Sequence, residues 1–346
     1  MPDMKILYLH CNQPCYVAEP LFHGLRSVLG NQCVDVPRYD SLYQQSTKKF
    51  SRSLRGEGFT LYGQLKDDDE LINHRYFWLG KLDEYDYVVI ANIWDMGDMY
   101  LKIRSLIPEK KIVLIDGYDQ PNIYPFAKRY LKNLWPMMTI IRKSIYFKRE
   151  FVSPLFGYGL QDLIPRIFHP LFQCILPIHK KVKPISFSIP AGKITQVDWL
   201  KKTKDFPTHI VDQEIATNLK SGFYSKIASD KYCFNKESEY YEDLKKTRWG
   251  ITTRRAGWDC LRHYELAANG CILCFRDLDD KPITAAPHGL NSTNSISYSN
   301  HSDLLHKIRS INCNEGIAMQ ERSYKWVRQQ TTNYRANYFL QQIQEQ

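Results

Sequence analysis

Apolar residues along this chain gather in short unbroken runs, separated by stretches with helical spacing. Lys5–His10, Cys33–Val36, Tyr87–Ala91, Lys111–Asp116 and Ser144–Phe147 are such runs. Lys5–His10 shows no alternation and Tyr87–Ala91 is plainly apolar, as expected of strands covered on both faces; Ser144–Phe147 is the weaker pattern. Between them, Leu21, Leu25, Val28 and Leu29 recur at helical intervals, and Met96–Ile107 reads as a second helix. Strands alternating with helices predict a parallel sheet with crossover connections. Ser46–Asp69 is polar and of mixed charge, predicting loop and irregular helix. Pro184–Pro190 is bounded by prolines and leads into Lys-rich sequence, which sets a domain boundary near Gly192. Beyond it, strands are predicted at Lys231–Phe234, Trp249–Thr253, Cys271–Phe275 and Ser295–Tyr298. Helices are predicted at Glu239–Lys246, Asp259–Asn269 and His301–Ile311, and one long amphipathic helix over Gly316–Gln341. Asp259 is placed to cap its helix and Gly270 to stop it. The pattern is α/β: two Rossmann-like doubly wound domains, over 1–190 and 191–346, with a cleft at the carboxyl edges of both sheets.

The length of 346 residues agrees with two domains. The nine cysteines are odd in number and scattered, and Met1–Leu9 runs straight into a strand without a leader pattern, so the expectation is free thiols in a reducing cytoplasm. Cys271 and Cys274 sit three apart in a strand and face opposite ways, which argues against a shared metal. Charge alters the picture more. The net charge is +10, and the segment 121–183 alone holds eleven basic residues against Glu150 and Asp162, a net of +9. Within it, Phe151–Ile178 is apolar but broken by Pro154, Pro165, Pro170 and Pro177. That is too interrupted to span a bilayer and suits a chain lying on an anionic membrane surface; an ordinary helical core with a basic exterior is the other reading.

The chemistry concentrates in Thr252–Phe275, which runs strand, basic glycine-containing loop, helix, glycine, strand. A loop ending at a helix N-terminus presents free N–H groups and the positive end of the helix dipole, which favours phosphate. Arg254 and Arg255 add cations around Gly257, and Arg262 and Glu265 share one helix face. A carboxylate so placed accepts both hydroxyls of a ribose. Spacing alone leaves open an exposed Arg–Glu pair on a solvated helix.

The segment Arg262–Ile272 (Arg-His-Tyr-Glu-Leu-Ala-Ala-Asn-Gly-Cys-Ile) resembles the R-x-x-E-A-x-x-x-G-x-(I/P) signature of GT-B glycosyltransferases, nearest to the exostosin-like and spore-maturation (CgeB-type) families. Phe147–Glu150 and the final helices with Trp326, Thr331 and Arg335 resemble the same families. The resemblance implies that Glu265 binds the donor ribose and that Arg262, with Arg254, Arg255 and the Gly257 loop, holds the diphosphate. It also implies a nucleotide sugar as donor, no cofactor and no metal. One departure stands out: many retaining members carry two glutamates separated by seven residues, and Gly257 occupies the first position here.

An acceptor base is sought at strand ends of the first domain, where His10, Asp116 and Asp119 lie, against the alternative that Asp116 and Asp119 merely form a turn. His288 is expected over the donor, and His263 to be structural. The D-x-D patterns of Asp67–Asp69 and Asp277–Asp280 are read as polar loops and not as metal sites. The reading is a cytoplasmic glycosyltransferase, peripheral on the inner membrane face, that moves sugar to a glycan or lipid-linked acceptor in surface polysaccharide synthesis. The rivals are another nucleotide-using Rossmann enzyme, against which stands the absence of G-x-G-x-x-G and of a P-loop, and a basic RNA- or anionic-polymer-binding protein, against which stands the absence of any nucleic-acid module.

Overall fold

The computed structural model describes residues 4–11, 13–46, 55–121, 123, 143–152, 165–168, 170–171, 182–219, 223–224 and 233–345. Six parallel strands form the first sheet: β1 (Ile6–Leu9), β2 (Cys33–Val36), β3 (Tyr87–Ile90), β4 (Ile112–Asp116), β5 (Ile145–Lys148) and β6 (Val182–Pro184), in the order β2-β1-β3-β4-β5-β6. Leu7 pairs with Val34 on one side and Val88 on the other, and all three are buried. Helix α1 (Ala18–Leu29) follows β1, α2 (Ile72–Tyr76) precedes β3, and α3 (Gly97–Ile103) follows it.

The second half carries β7 (His209–Ile210), α4 (Gln213–Asn218), β8 (Phe223–Tyr224), α5 (Glu237–Lys246), β9 (Trp249–Thr252), α6 (Leu261–Ala268), β10 (Ile272–Arg276), β11 (Ser295–Tyr298), α7 (His301–Ser310), α8 (Cys313–Arg328) and α9 (Thr332–Gln344). Strands β11-β10-β9 form a parallel sheet, and β7 and β8 pair parallel as a small one. The alternation expected from the sequence is therefore present in both halves.

Two expectations need correction, and two more fall largely outside the described residues. The single closing helix is two. The chain breaks at Gln329–Thr331, where Ile189 inserts: its N–H donates to Gln330 O and its carbonyl accepts from Thr332 N. Thr331 then caps α9 through its hydroxyl. Asp259 does not cap α6, whose N-cap is Cys260 without a side-chain bond. Of the strand expected at Lys231–Phe234, Lys231 and Tyr232 lie outside the described residues and Cys233 and Phe234 are not extended ladder. Most of the basic segment 121–183 also lies outside them; of its described members, Lys148 and Arg149 are buried, so they belong to no surface patch. Gly270 does end α6, with φ +73°.

Helix α9 does not stay with the second sheet. It lies against α1 of the first, with Phe339 packed on Phe147 at a ring separation of 4.7 Å. The helices approach closely because Gly24 has no side chain: a Cβ there would sit 2.1 Å from the Thr332 carbonyl oxygen. Beside it, His23 Nδ1 meets Thr332 Oγ1 at 2.9 Å.

Gly24→Ala is expected to cost about 1–3 kcal/mol through overpacking. An unchanged midpoint in urea unfolding would refute this close contact. Burial pushes the His23 imidazole down from 6.5 to about 4. The folded state thus prefers neutral His23, and this contribution is full above pH 6.5 and lost as pH falls toward 4. It amounts to about 2–3 kcal/mol. In urea unfolding between pH 7 and pH 4, His23→Gln should lose less stability than the parent by about that amount; equal losses would show that His23 does not couple folding to pH.

Candidate functional site

The connections at the carboxyl ends of the first sheet surround a cavity of about 440 Å³. Gln13–Tyr16 follow β1, Asn92 and Asp95 follow β3, Gly117–Asp119 follow β4, and Arg149 follows β5; Phe187 closes the rim. Strand β1 lies between β2 and β3, where the strand order reverses, the place at which open parallel sheets bind ligands. Two carboxylates line this cavity. Asp119 is half-exposed and ion-paired with Arg149. Asp95 is exposed, and accepts from Asn92 Nδ2 at 2.5 Å and from Tyr118 OH at 3.1 Å. Asp95 was not singled out from sequence, although it follows β3 as Asp119 follows β4; the same strand-end rule applied once more would have found it.

The other two expected bases are not in the cavity. Asp116 is fully buried at the end of β4, where Oδ2 accepts from Tyr146 OH at 2.6 Å and lies 3.0 Å from Lys148 Nζ. Burial lowers the Lys148 pKa, and the Asp116 charge opposes that shift. Asp116 therefore serves an internal ion pair. His10 is buried and stacked on Tyr39 with ring centroids 3.3 Å apart. Its Nε2 lies 2.5 Å from Pro37 O and its Nδ1 3.0 Å from Cys11 O, and burial lowers its pKa. An imidazole held between two carbonyls beneath the loop does not reach a hydroxyl in the cavity.

The loop joining β9 to α6 reaches across to this rim. A Cβ on Gly257 would stand 2.5 Å from Glu150 Oε1 and 2.7 Å from Asp119 Oδ1, so glycine is required for the loop to sit there. Asp259 N donates to Glu150 Oε1 at 3.2 Å, and Arg149 Nη1 donates to Glu150 Oε1 at 2.9 Å and to Asp259 O at 3.2 Å. The Asp259 carboxylate accepts from Phe187 N and Tyr264 OH, both at 2.8 Å, which is why it is absent from the helix cap. Burial raises the pKa of Glu150 and of Asp259, and the Arg149 charge opposes both shifts.

Arg254 is exposed and lies over the Trp258 ring at 5.0 Å. Arg262 is buried, with Nη2 3.2 Å from His209 Nε2. Burial drives His209 down to about 3, and the Arg262 and Arg255 charges push it the same way. Arg255 and Arg262 thus bring two positive charges beside a neutral His209. His209 carried no sequence signal, because β7 is two residues long.

Glu265 is not an exposed partner of Arg262. It is fully buried, with Oε1 accepting from Thr60 Oγ1 at 2.5 Å and Oε2 from Tyr240 OH at 2.9 Å. Thr60 belongs to the first half of the chain and holds φ +74°, a strained conformation for a β-branched residue. Two protein hydroxyls therefore occupy the carboxylate that was expected to hold ribose. His263 is structural, held by Thr252 Oγ1 and Trp258 O. His288 is not over this group; it lines a separate cavity beside Trp326, whose Nε1 donates to His288 O. Asp67 and Asp68 are taken up by Arg38, Arg26 and Arg75. The eight cysteines described are free thiols.

No family model matches the chain, and no curated protein matches it in sequence. Solved structures do. A glycosyltransferase from Rickettsia africae is 11% identical, with a TM-score of 0.56, covering 99% of this chain and 98% of its own. Anabaena Alr3699/HepE in complex with UDP and glucose is 9% identical, with a TM-score of 0.54, covering 99% of this chain and 100% of its own. Trehalose-6-phosphate synthase OtsA is 10% identical, with a TM-score of 0.50, covering 99% of each chain. At these identities the likeness is one of fold: this chain has the two-Rossmann-domain architecture of the GT-B glycosyltransferases.

Proposed function

We propose that this chain is a glycosyltransferase that moves sugar from a nucleotide-sugar donor to a glycan or lipid-linked acceptor in surface polysaccharide synthesis. The observation that carries the reading is the meeting of the Gly257 loop of the second sheet with the Asp119 side of the cavity at the first. A donor held at the second sheet by Arg254, Arg255, Arg262 and loop N–H groups then presents its sugar to an acceptor hydroxyl in that cavity. Asp119, at the contact between the two, takes the hydroxyl proton, and the arginines stabilise the departing diphosphate without a metal. Asp95, farther along the rim, orients the acceptor. Glu265 binds ribose once the Thr60 loop withdraws. UDP is bound by Anabaena HepE in its solved complex, which makes it the first nucleotide to test here.

What supports a position at a membrane surface is the exposure of Ile167, Phe168 and Leu171 within the basic segment. Among the described residues, no helix is long and apolar enough to cross a membrane.

The test is calorimetric titration of UDP in EDTA. Glu265→Ala should weaken binding about ten- to a hundredfold, through lost charge-assisted hydrogen bonds. Thr60→Ala should strengthen it, by removing the hydroxyl that competes for the same carboxylate. Loss of binding in EDTA would overturn the metal-free reading, and unchanged affinity in both folded variants would remove Glu265 from the donor site. With donor and acceptor in hand, Asp119→Asn should lower kcat about a hundredfold or more at near-normal UDP affinity, whereas Asp95→Asn should chiefly raise the acceptor KM. The reverse pattern would assign the base to Asp95.

A further inference from the structure

A second cavity, of about 450 Å³, opens at the break between α8 and α9, apart from the residues assigned above to donor and acceptor. Its walls include Arg322, Lys325 and Arg335, and no acidic residue. Arg322 Nε already donates to Thr293 O at 2.5 Å. Among the described residues, the half-buried Arg335 guanidinium makes no hydrogen bond and no ion pair; it lies over the Tyr338 ring at 5.1 Å, with the Tyr264 and Tyr334 hydroxyls and the Asp259 charge also within electrostatic reach. Asp259, whose charge reaches Arg335, accepts from Phe187 N and Tyr264 OH. Two further polar atoms facing this region, His288 Nε2 and Gln330 Oε1, are buried without a partner. Lys325 is exposed and has no partner among the described residues. Trp326, Tyr334 and Tyr338 supply ring faces on the same walls.

Buried polar groups are nearly always satisfied, and a desolvated cation without a counter-ion is costly. Burial lowers the pKa of Arg335 and brings His288 down to about 4, so His288 is neutral here, with its Nε2 left without a partner. Cations, a neutral imidazole, an amide oxygen and aromatic faces around one opening match a ligand with a small anionic group on a hydroxyl-bearing ring.

We propose that this cavity is a second ligand site, for a small phosphorylated sugar, with Arg335 and Lys325 on the phosphate, and Gln330, His288 and the aromatic rings on the sugar. The walls come from the end of α8, the start of α9 and the loop before β11, so an occupant bridges the point where the chain crosses from the second sheet back to the first.

The experiment is calorimetric titration of the full chain with glucose 6-phosphate, in the presence of saturating UDP, with inorganic phosphate and glucose as separate titrants. The sugar phosphate should bind more tightly than either. Arg335→Gln should weaken it tenfold or more, and Lys325→Gln, at an exposed position that leaves folding alone, severalfold. UDP affinity should stay within twofold in both, which separates this site from the donor site. Glu265→Ala should leave sugar-phosphate binding unchanged. No binding at millimolar concentration, or equal binding by the parent and Lys325→Gln, would overturn the proposal, as would phosphate binding as tightly as the sugar phosphate. If Arg335→Gln fails to fold, Lys325→Gln and Tyr334→Ala decide it, since both residues are exposed and both line the cavity.

Discussion

The relation between the two sheets depends on one buried guanidinium. Arg149 leaves the end of β5 with a side chain only 2% exposed, and its nitrogens reach Gly117 O, Glu150, Asp119 and Asp259 O. Its carbonyl also accepts from Ala286 N. A charge in such a place is stable only when every donor finds a partner; removing one side of a buried pair costs about 3–5 kcal/mol because the other is left alone. Lysine does not replace it, because a point charge cannot serve carbonyls and carboxylates in several directions at once. Arg149 also lies over the Phe187 ring at 4.8 Å, which fixes the segment that links the halves.

The site follows from that contact. Arg149 and Glu150 hold the Asp259 backbone and so draw the β9–α6 loop to the rim of the first sheet, where only a glycine fits at 257. The same guanidinium takes Asp119 as one of its partners, leaving that carboxylate half-exposed at the cavity. One side chain thus brings the β9–α6 loop and an acid together. The Arg255 and Arg262 charges, beside neutral His209, belong to the second half of the chain.

The sequence was most legible where packing is two-sided. The apolar runs at Tyr87–Ala91 and Lys111–Asp116 became strands within a residue, because continuous burial leaves an unambiguous pattern. The strand, loop, helix and glycine of Trp249–Gly270 were equally plain. What failed depends on partners far away in the chain. Asp116 and Asp119 look alike in sequence, and only the presence of Lys148 on the neighbouring strand makes one internal and leaves the other open. Lys148 and Arg149 counted as surface charge until the sheet enclosed them. Glu265 was found, but its occupation by Thr60, 205 residues away, has no local signature. The break between α8 and α9 was hidden because helical periodicity continues through it and Ile189 causes it from outside.

The return of α9 to α1 bears on how the chain comes to be folded. His23 and Thr332, which meet at that contact, are 309 residues apart. During synthesis, the first sheet is made long before the helix that covers α1 leaves the ribosome, so the face around Gly24 waits uncovered for almost the whole length of the chain. Such non-local closure is slow, and exposed apolar surface in the interval invites association with other chains. The first sheet is thus first in the sequence and among the last parts to be finished, and its completion is tied to that of the second.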